Sequence, residues 1–300
     1  MPEVVLMPAW LEPPVIDGIA YHWWDHGAPE PSADVLAEVT VFVPAYMPVA
    51  EDLRFVARMP RLAVVQALMA GVDGIRPHVP PRVPVLRAVG VHDASTAELA
   101  VGLAIASQRG LDVAARDMPD GRWRHRRRPA LADSRVAIVG WGGVGRAIAA
   151  RLAPFDVEVT AFSRTGRGCR PVAELDALLP QFDIVILALP LTPDGPFMGA
   201  ERLARLRDGA LLINVGRGGL VDHRALLTHL DSGRIRAALD VTDPEPLPST
   251  DPLWRAPGLL ITPHVGGDSE AFVPRARAMI ARLMTELAAN GASWVAGRAT

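Results

Sequence analysis

Three hundred residues, half of them apolar, are enough for two modest cores, so two domains are the starting expectation. Lys and Arg number 31 against 33 Asp and Glu, a formal net charge of -2, which provides no global field for nucleic acid or an anionic membrane. The lone Cys169 excludes an internal disulfide and has no partners at zinc-ligand spacing, so no metal centre is expected and a reducing cytoplasm is the expected location.

Along the chain, Met1 to Pro14 carries Glu3 and Glu12 among scattered prolines and lacks the basic region and apolar stretch of a signal peptide. Apolar runs at Val39 to Val43 and Ala63 to Ala67, separated by Pro-rich connections, predict a small α/β layer in the first ninety residues. Pro44, Tyr46 and Met47 are either walls of a pocket for a small substituent or plain core. Ser95-Thr-Ala-Glu98 has the capping-box pattern and is followed by the apolar Leu99 to Ser107, so a long helix is predicted to begin there. The run Gly121-Arg-Trp-Arg-His-Arg-Arg-Arg-Pro129 could hold phosphates, but the overall charge balance favours a solvated hinge or a subunit-contact loop.

From Arg135 onward, short apolar runs alternate with Ala/Leu/Arg segments of helical spacing, the rhythm of a parallel sheet. The predicted strands are Val136 to Val139, Val157 to Phe162, Ile184 to Leu189, Leu211 to Asn214, Ile235 to Leu239 and Leu259 to Thr262, six in all, making an α/β doubly wound domain. Such runs, Asp183 to Leu191 among them, are too short to cross a bilayer. Met279, Ile280, Leu283, Met284 and Leu287 recur at helical spacing near the end and predict an amphipathic helix.

Val136-Ala-Ile-Val-Gly140-Trp-Gly142-Gly-Val-Gly145 places Gly-x-Gly-x-x-Gly between a strand and the Ala-rich Arg146 to Ala153. Gly140 permits the tight turn, Gly142 lets the backbone approach a pyrophosphate, and Gly145 lets helix and strand pack closely. Gly143 and Val144 complete the loop, whose helix N-terminus offers amides to phosphates. Where an NAD-preferring domain carries an acid after its second strand, this chain has Ser163-Arg164-Thr165. A guanidinium and two hydroxyls suit a 2'-phosphate, so NADP(H) is expected to be favoured over NAD(H); the alternative is that Arg164 is an exposed turn residue.

Arg217, Glu245 and His264 each follow a predicted strand, where open α/β sheets bind ligands. Reduction of a 2-keto acid requires a cation to hold the carboxylate and polarise the carbonyl, which suits Arg217. It also requires an acid that titrates near neutrality, which suits His264, with Glu245 favouring the imidazolium. Taken singly they read as a surface cation, a loop acid and a capped loop histidine; their joint placement selects the catalytic reading.

These motifs resemble the D-isomer-specific 2-hydroxyacid dehydrogenases, a family that includes glyoxylate and hydroxypyruvate reductases and phosphoglycerate dehydrogenase. The likeness runs from about Ser95 to Gly267 and covers the glycine loop, Leu189-Pro-Leu-Thr-Pro193, Leu211-Leu-Ile-Asn-Val-Gly-Arg-Gly218, Ala238-Leu-Asp-Val-Thr-Asp-Pro-Glu-Pro-Leu-Pro248 and Ile261-Thr-Pro-His-Val-Gly-Gly267. It implies that Arg217 binds substrate, that His264 is the general acid/base with Glu245 its partner, and that Asp240 holds the nicotinamide amide. It further implies cofactor contacts at Thr96, Leu189, Pro190, Thr192, Val215, Gly266 and Gly267. Met69-Ala-Gly-Val-Asp73 is similar to the family loop that receives the substrate carboxylate, which points to Ala70 and Gly71.

By the same resemblance, residues 1–90 and 272–300 form a smaller flavodoxin-like α/β substrate domain, and 91–271 a Rossmann dinucleotide-binding domain. A cytoplasmic homodimer acting on a small 2-keto or 2-hydroxy acid is the expectation. Thr242 stands where the family commonly has an aromatic residue, and the amino-terminal part looks short. Two other readings use the same fold: a dinucleotide-sensing corepressor-like protein, and a formate or phosphite dehydrogenase. The formate enzymes pair the histidine with an amide, so Glu245 opposes that reading.

Overall fold

The computed structural model describes residues 2–192 and 194–297 and divides into two compact units, Met1–His92 with Glu270–Thr300, and Asp93–Ser269. Met1 and residues 298–300 of the expected substrate domain, and Pro193 of the Leu189 motif, lie outside the described residues.

The first unit holds a parallel sheet of β1 (Glu3–Met7), β2 (Ile19–Trp23), β3 (Val41–Phe42), β4 (Val64–Gln66) and β5 (Val85–Leu86). Its order, β2-β1-β3-β4-β5, is the flavodoxin-like one. Side chains alternate across the sheet. Val5 and Met7 join Val41, Val64 and the helix residues Ala276, Ile280 and Met284, whereas Val4 and Leu6 join Phe42, Val65, Leu36 and Phe55. Both faces are therefore covered, as a parallel sheet requires.

β1 and β2 occupy the amino-terminal stretch in which no strand was expected. Pro2 and Pro8 stand just outside β1 and Pro13 and Pro14 lie in its connection to β2, so the prolines punctuate the ladder without interrupting it. The two expected runs form strands of only two and three residues, β3 and β4. The expected amphipathic helix spans Phe272–Asn290 and ends at Gly291, beyond which Ala292–Ala296 forms a separate short helix.

The second unit holds β6 (Arg135–Val139), β7 (Glu158–Ser163), β8 (Arg170–Pro171), β9 (Ile184–Leu187), β10 (Leu211–Asn214), β11 (Arg236–Leu239) and β12 (Leu259–Ile261). All pair in parallel, in the order β12-β11-β10-β9-β6-β7-β8. This is a Rossmann-like doubly wound sheet whose strand order reverses between β6 and β9. Val136, Ile138, Ile184, Ile186, Leu211 and Ile213 pack on Ala97, Ala100, Ala104, Ile148 and Leu152. The alternate positions Ala137, Val139, Val185, Leu187 and Leu212 pack on Leu175, Leu203, Leu226 and Leu230.

The seventh strand, β8, was not expected. It is two residues long, too short for any periodicity, and its proline is tolerated because the strand lies at the sheet edge. The long helix also starts earlier than predicted, spanning Asp93–Arg109. Ser95 and Glu98 mark a cap only if the residue before them is non-helical, but Asp93 and Ala94 are already in the helix. Asp93 provides the first-turn acid that the helix dipole favours.

Ile138 is fully buried at the centre of β6. Ile138→Ala is expected to destabilise the second unit by about 3 kcal/mol, read as a lower urea midpoint by circular dichroism.

Candidate active site

Because every strand of the second sheet runs the same way, all their carboxyl ends open on one edge. The loops leaving β6, β7, β9, β10, β11 and β12 carry the candidate residues to that edge in turn.

The loop after β6 is built around close backbone approaches. Gly140 has φ +111° and its position leaves no room for a Cβ, which would fall on the Ala188 carbonyl; only glycine fits. A Cβ on Gly145 would likewise strike the Gly140 carbonyl, and one on Gly143 the Asp93 carboxylate. Gly142 differs, since a Cβ there would meet nothing within 4 Å. It is the N-cap of the helix Gly143–Leu152, with no side-chain cap and no acid in the first turn. This uncapped helix end, open at Gly142 and flanked by the Asp93 carboxylate at Gly143, forms a cradle that fits the pyrophosphate of a dinucleotide.

At the end of β7, Ser163 is partly buried and Arg164 and Thr165 are exposed. After β9, Leu189 lies against the Gly216 backbone, with a Cβ built at Gly216 only 2.7 Å from its carbonyl oxygen, and Pro190 follows. The Thr192 hydroxyl donates to Gly195 O at 2.7 Å. Val215 is nearly buried, and its N–H extends the ladder to Leu187 O at 3.1 Å.

Arg217 is held by a turn that β10 itself organises. Asn214, fully buried at the end of a strand that otherwise reads Leu-Leu-Ile, accepts from the Gly216 N–H at 3.0 Å and donates to Arg217 O at 2.8 Å. Arg217 Nη1 donates to Gly216 O at 2.7 Å. A Cβ on Gly218 would overlap the Thr242 carbonyl, so the loops after β10 and β11 are in direct backbone contact. Asn214 lies within a family motif but carries no role that the motif alone assigns. The signal was available as an amide at the end of an apolar strand, which must find partners when buried.

Glu245 and His264 meet across the loops after β11 and β12. His264 Nδ1 donates to Glu245 Oε2 at 2.8 Å, and Glu245 Oε1 accepts the Thr242 N–H at 3.0 Å. Burial pushes the Glu245 carboxyl up, but the hydrogen bonds from His264 and Thr242 outweigh it and hold the group below the usual range. The same hydrogen bond to Glu245 raises His264 against the opposing effect of burial, with the Asp240 charge adding to it and the Arg217 charge subtracting. Thr242, where the family commonly has an aromatic residue, is buried and donates its hydroxyl to Pro244 O at 2.9 Å.

Asp240 ties the last loop down. Its Oδ1 accepts from the Thr262 hydroxyl at 2.6 Å and the Val265 N–H at 3.0 Å, and its Oδ2 from the Gly266 N–H at 2.9 Å. His264 lies within this clamp at φ +53°, a left-handed conformation that costs a non-glycine residue about 1 kcal/mol or more. Its N–H is shared between Asp240 O at 2.8 Å and Thr262 O at 3.0 Å. A Cβ built at Gly266 would stand 2.8 Å from Asp240 Oδ2 and 3.4 Å from Thr96 Cγ2, and Gly267 is the next residue.

The second unit thus brings Arg217, Glu245 and His264 to one sheet edge, together with Thr96, Asp240 and the glycine loop. Ala70 and Gly71 belong to the first unit, in the loop after β4, where the Ala88 N–H donates to Met69 O at 3.0 Å. An imidazolium fixed through Nδ1 by a carboxylate can give a proton from Nε2, and a neighbouring guanidinium can hold an anion. Among the described residues no group of three or more His, Cys, Asp or Glu could hold a metal ion, and no helix is long and apolar enough to cross a membrane.

Residues 101–266 match the family model described as D-isomer specific 2-hydroxyacid dehydrogenase, NAD binding domain. The chain is 36% identical over 231 residues to the glyoxylate reductase/hydroxypyruvate reductase of Mus musculus, covering 68% of this chain and 67% of that protein. It is 31% identical over 239 residues to the glyoxylate reductase of Korarchaeum cryptofilum, covering 74% and 72%. Among solved structures it is similar to a D-isomer specific 2-hydroxyacid dehydrogenase from Xanthobacter autotrophicus Py2 in complex with NADPH and MES, with 31% identity, a TM-score of 0.77 and 95% of each chain covered.

The raised His264 and lowered Glu245 imply that the two are charged together over a widened pH window. Glu245→Gln is expected to lower the His264 pKa toward its ordinary value, measured by NMR titration of the ring protons; an unchanged titration would separate the two groups.

Proposed function

Because the chain belongs to the D-isomer specific 2-hydroxyacid dehydrogenase family, whose members are NAD(P)-dependent oxidoreductases acting on hydroxyl donors, we propose that it reduces a small 2-keto acid to the 2-hydroxy acid, with Arg217, Glu245 and His264 as its catalytic residues. The observation that carries this reading is the 2.8 Å His264–Glu245 contact beside Arg217, on the sheet edge that also bears the glycine cradle.

Arg217 takes the substrate carboxylate and polarises the 2-carbonyl, since its charge survives at any working pH and its fork fits a carboxylate. A bound nicotinamide would supply the hydride. His264, protonated because Glu245 holds Nδ1, gives its Nε2 proton to the carbonyl oxygen as negative charge develops there. Glu245 keeps the ring oriented and stabilises its charged form. In the oxidative direction, neutral His264 accepts the hydroxyl proton instead.

Gly140, Gly142, Gly143, Val144 and Gly145 would hold the pyrophosphate, and Thr96, Leu189, Pro190, Thr192, Val215, Asp240, Gly266 and Gly267 would line the rest of the dinucleotide. Asp240 already accepts three hydrogen bonds from the chain, and a carboxylate has about four lone-pair sites, so one is left for a nicotinamide amide. Ser163, Arg164 and Thr165 favour NADP(H) over NAD(H). Two supports for this are the absence of an acid in Ser163-Arg164-Thr165 and the NADPH bound in the Xanthobacter relative. The Ala70 and Gly71 amides are assigned to the substrate carboxylate on the family resemblance alone. Glyoxylate and hydroxypyruvate are the first substrates to offer, from the relatives' names. A cytoplasmic homodimer completes the proposal.

Purified protein is expected to consume NADPH faster than NADH with at least one of glyoxylate, hydroxypyruvate and pyruvate. Tight nucleotide binding without turnover would favour the dinucleotide-sensing reading instead. His264→Ala is expected to lower kcat by about 100-fold or more, and normal turnover in that variant would overturn the mechanism. Arg217→Ala is expected to raise the substrate KM by about 10- to 100-fold, the loss of a charged hydrogen-bonded contact.

The pH dependence follows from His264. Reduction needs its protonated form, so the reductive rate is expected to be full below its raised pKa and to fall as pH rises through it. Oxidation is expected to rise over the same interval.

A further inference from the structure

The chain between β7 and β8 returns beside its own start, because the edge strand pairs Phe162 with Arg170 and Ser163 with Pro171. That short return brings Cys169 to Ser163. The Cys169 thiol donates to Ser163 Oγ at 3.1 Å, and the Gly166 N–H donates to the same oxygen at 3.1 Å. The alternative acceptor for the thiol, the Arg167 carbonyl, is farther away at 3.7 Å.

A serine hydroxyl has two acceptor lone pairs and one donor. With both lone pairs engaged by an N–H and an S–H, the remaining function of Ser163 is its own O–H. The hydroxyl is thereby fixed as a donor. Such a donor favours a phosphate, whose charged oxygens only accept and make the stronger charge-assisted bond, over a neutral ribose 2'-hydroxyl.

The surroundings have the same sense. Arg164 and Arg167 make no ion pair among the described residues, whereas Arg170 is paired with Glu174 at 3.0 Å. The turn also borders the dinucleotide loop, since a Cβ built at Gly168 would stand 3.8 Å from Trp141 Nε1, and Trp141 lies between Gly140 and Gly142.

We propose that Cys169 is a positioning residue for nucleotide selection: its thiol, acting with the Gly166 amide, sets the Ser163 hydroxyl as an outward donor to the 2'-phosphate of NADP(H). This rests on the proposed preference for NADP(H) and names the device behind part of it. Cys169 itself touches no cofactor atom in this scheme. Arg164 supplies charge, and Ser163 supplies direction.

The test is direct binding by calorimetry, with no turnover required, of 2',5'-ADP and 5'-AMP to the wild-type chain, Cys169→Ala and Cys169→Ser. Cys169→Ala is expected to weaken 2',5'-ADP by about five-fold, the worth of one neutral hydrogen bond, while 5'-AMP binding stays unchanged and so reports an intact fold. Cys169→Ser, which keeps a donor, is expected to restore most of the loss. If Cys169→Ala keeps the wild-type preference, or weakens both ligands equally, the positioning role is overturned while the NADP(H) reading stands. If the wild-type chain itself binds 2',5'-ADP no better than 5'-AMP, the NADP(H) reading is overturned and the positioning role falls with it.

Discussion

The buried carboxylate of Asp240 is the interaction on which the candidate site depends. Removing a charge from water is costly unless it is hydrogen bonded, and Asp240, 2% exposed, is supplied by the Thr262 hydroxyl and the Val265 and Gly266 amides. Those three donors all lie in the turn after β12, so satisfying the carboxylate also fixes that turn. His264 sits inside it in a left-handed conformation that an isolated chain would seldom populate. The strain is tolerated because the clamp leaves the turn no better arrangement.

The charges at this edge are arranged so that each alters the others. Glu245 favours the imidazolium of His264, and that imidazolium favours the carboxylate of Glu245, whereas the nearby guanidinium of Arg217 favours the carboxylate and opposes the imidazolium. A substrate carboxylate on Arg217 would neutralise that opposition. In the proposed reaction, substrate binding and the protonation of the acid therefore support each other. Such coupling needs backbone precision, which comes from contacts like that between Gly218 and the Thr242 carbonyl.

The proposed nucleotide end is marked by groups left unpaired. The helix after the glycine loop has neither a side-chain cap nor an early acid, and the turn after β7 carries arginines without ion-pair partners among the described residues. In a structural helix or turn, local side chains would take up those amides and charges. In the proposed function they are left to a ligand of opposite character, and the proposed role of the Ser163 hydroxyl extends the same logic, since its acceptor sites are filled and its donor remains.

The doubly wound sheet, the glycine loop and the three catalytic candidates were legible in the sequence because each depends on local order. Apolar runs such as Ile184 to Leu187 identify themselves by composition, and Arg217, Glu245 and His264 each follow such a run directly. The amino-terminal strands were hidden by flanking prolines, β8 by its brevity, and the true start of the Asp93 helix by a capping pattern that the preceding residues override. Only the tertiary structure decided that Asn214 organises the Arg217 turn, that Asp240 clamps the His264 turn, and that Cys169 meets Ser163. Those pairings are made where backbone geometry brings separate loops, or the two ends of one turn, within hydrogen-bond range. Residue type sets what a group can donate or accept, but the fold alone sets which partner it meets.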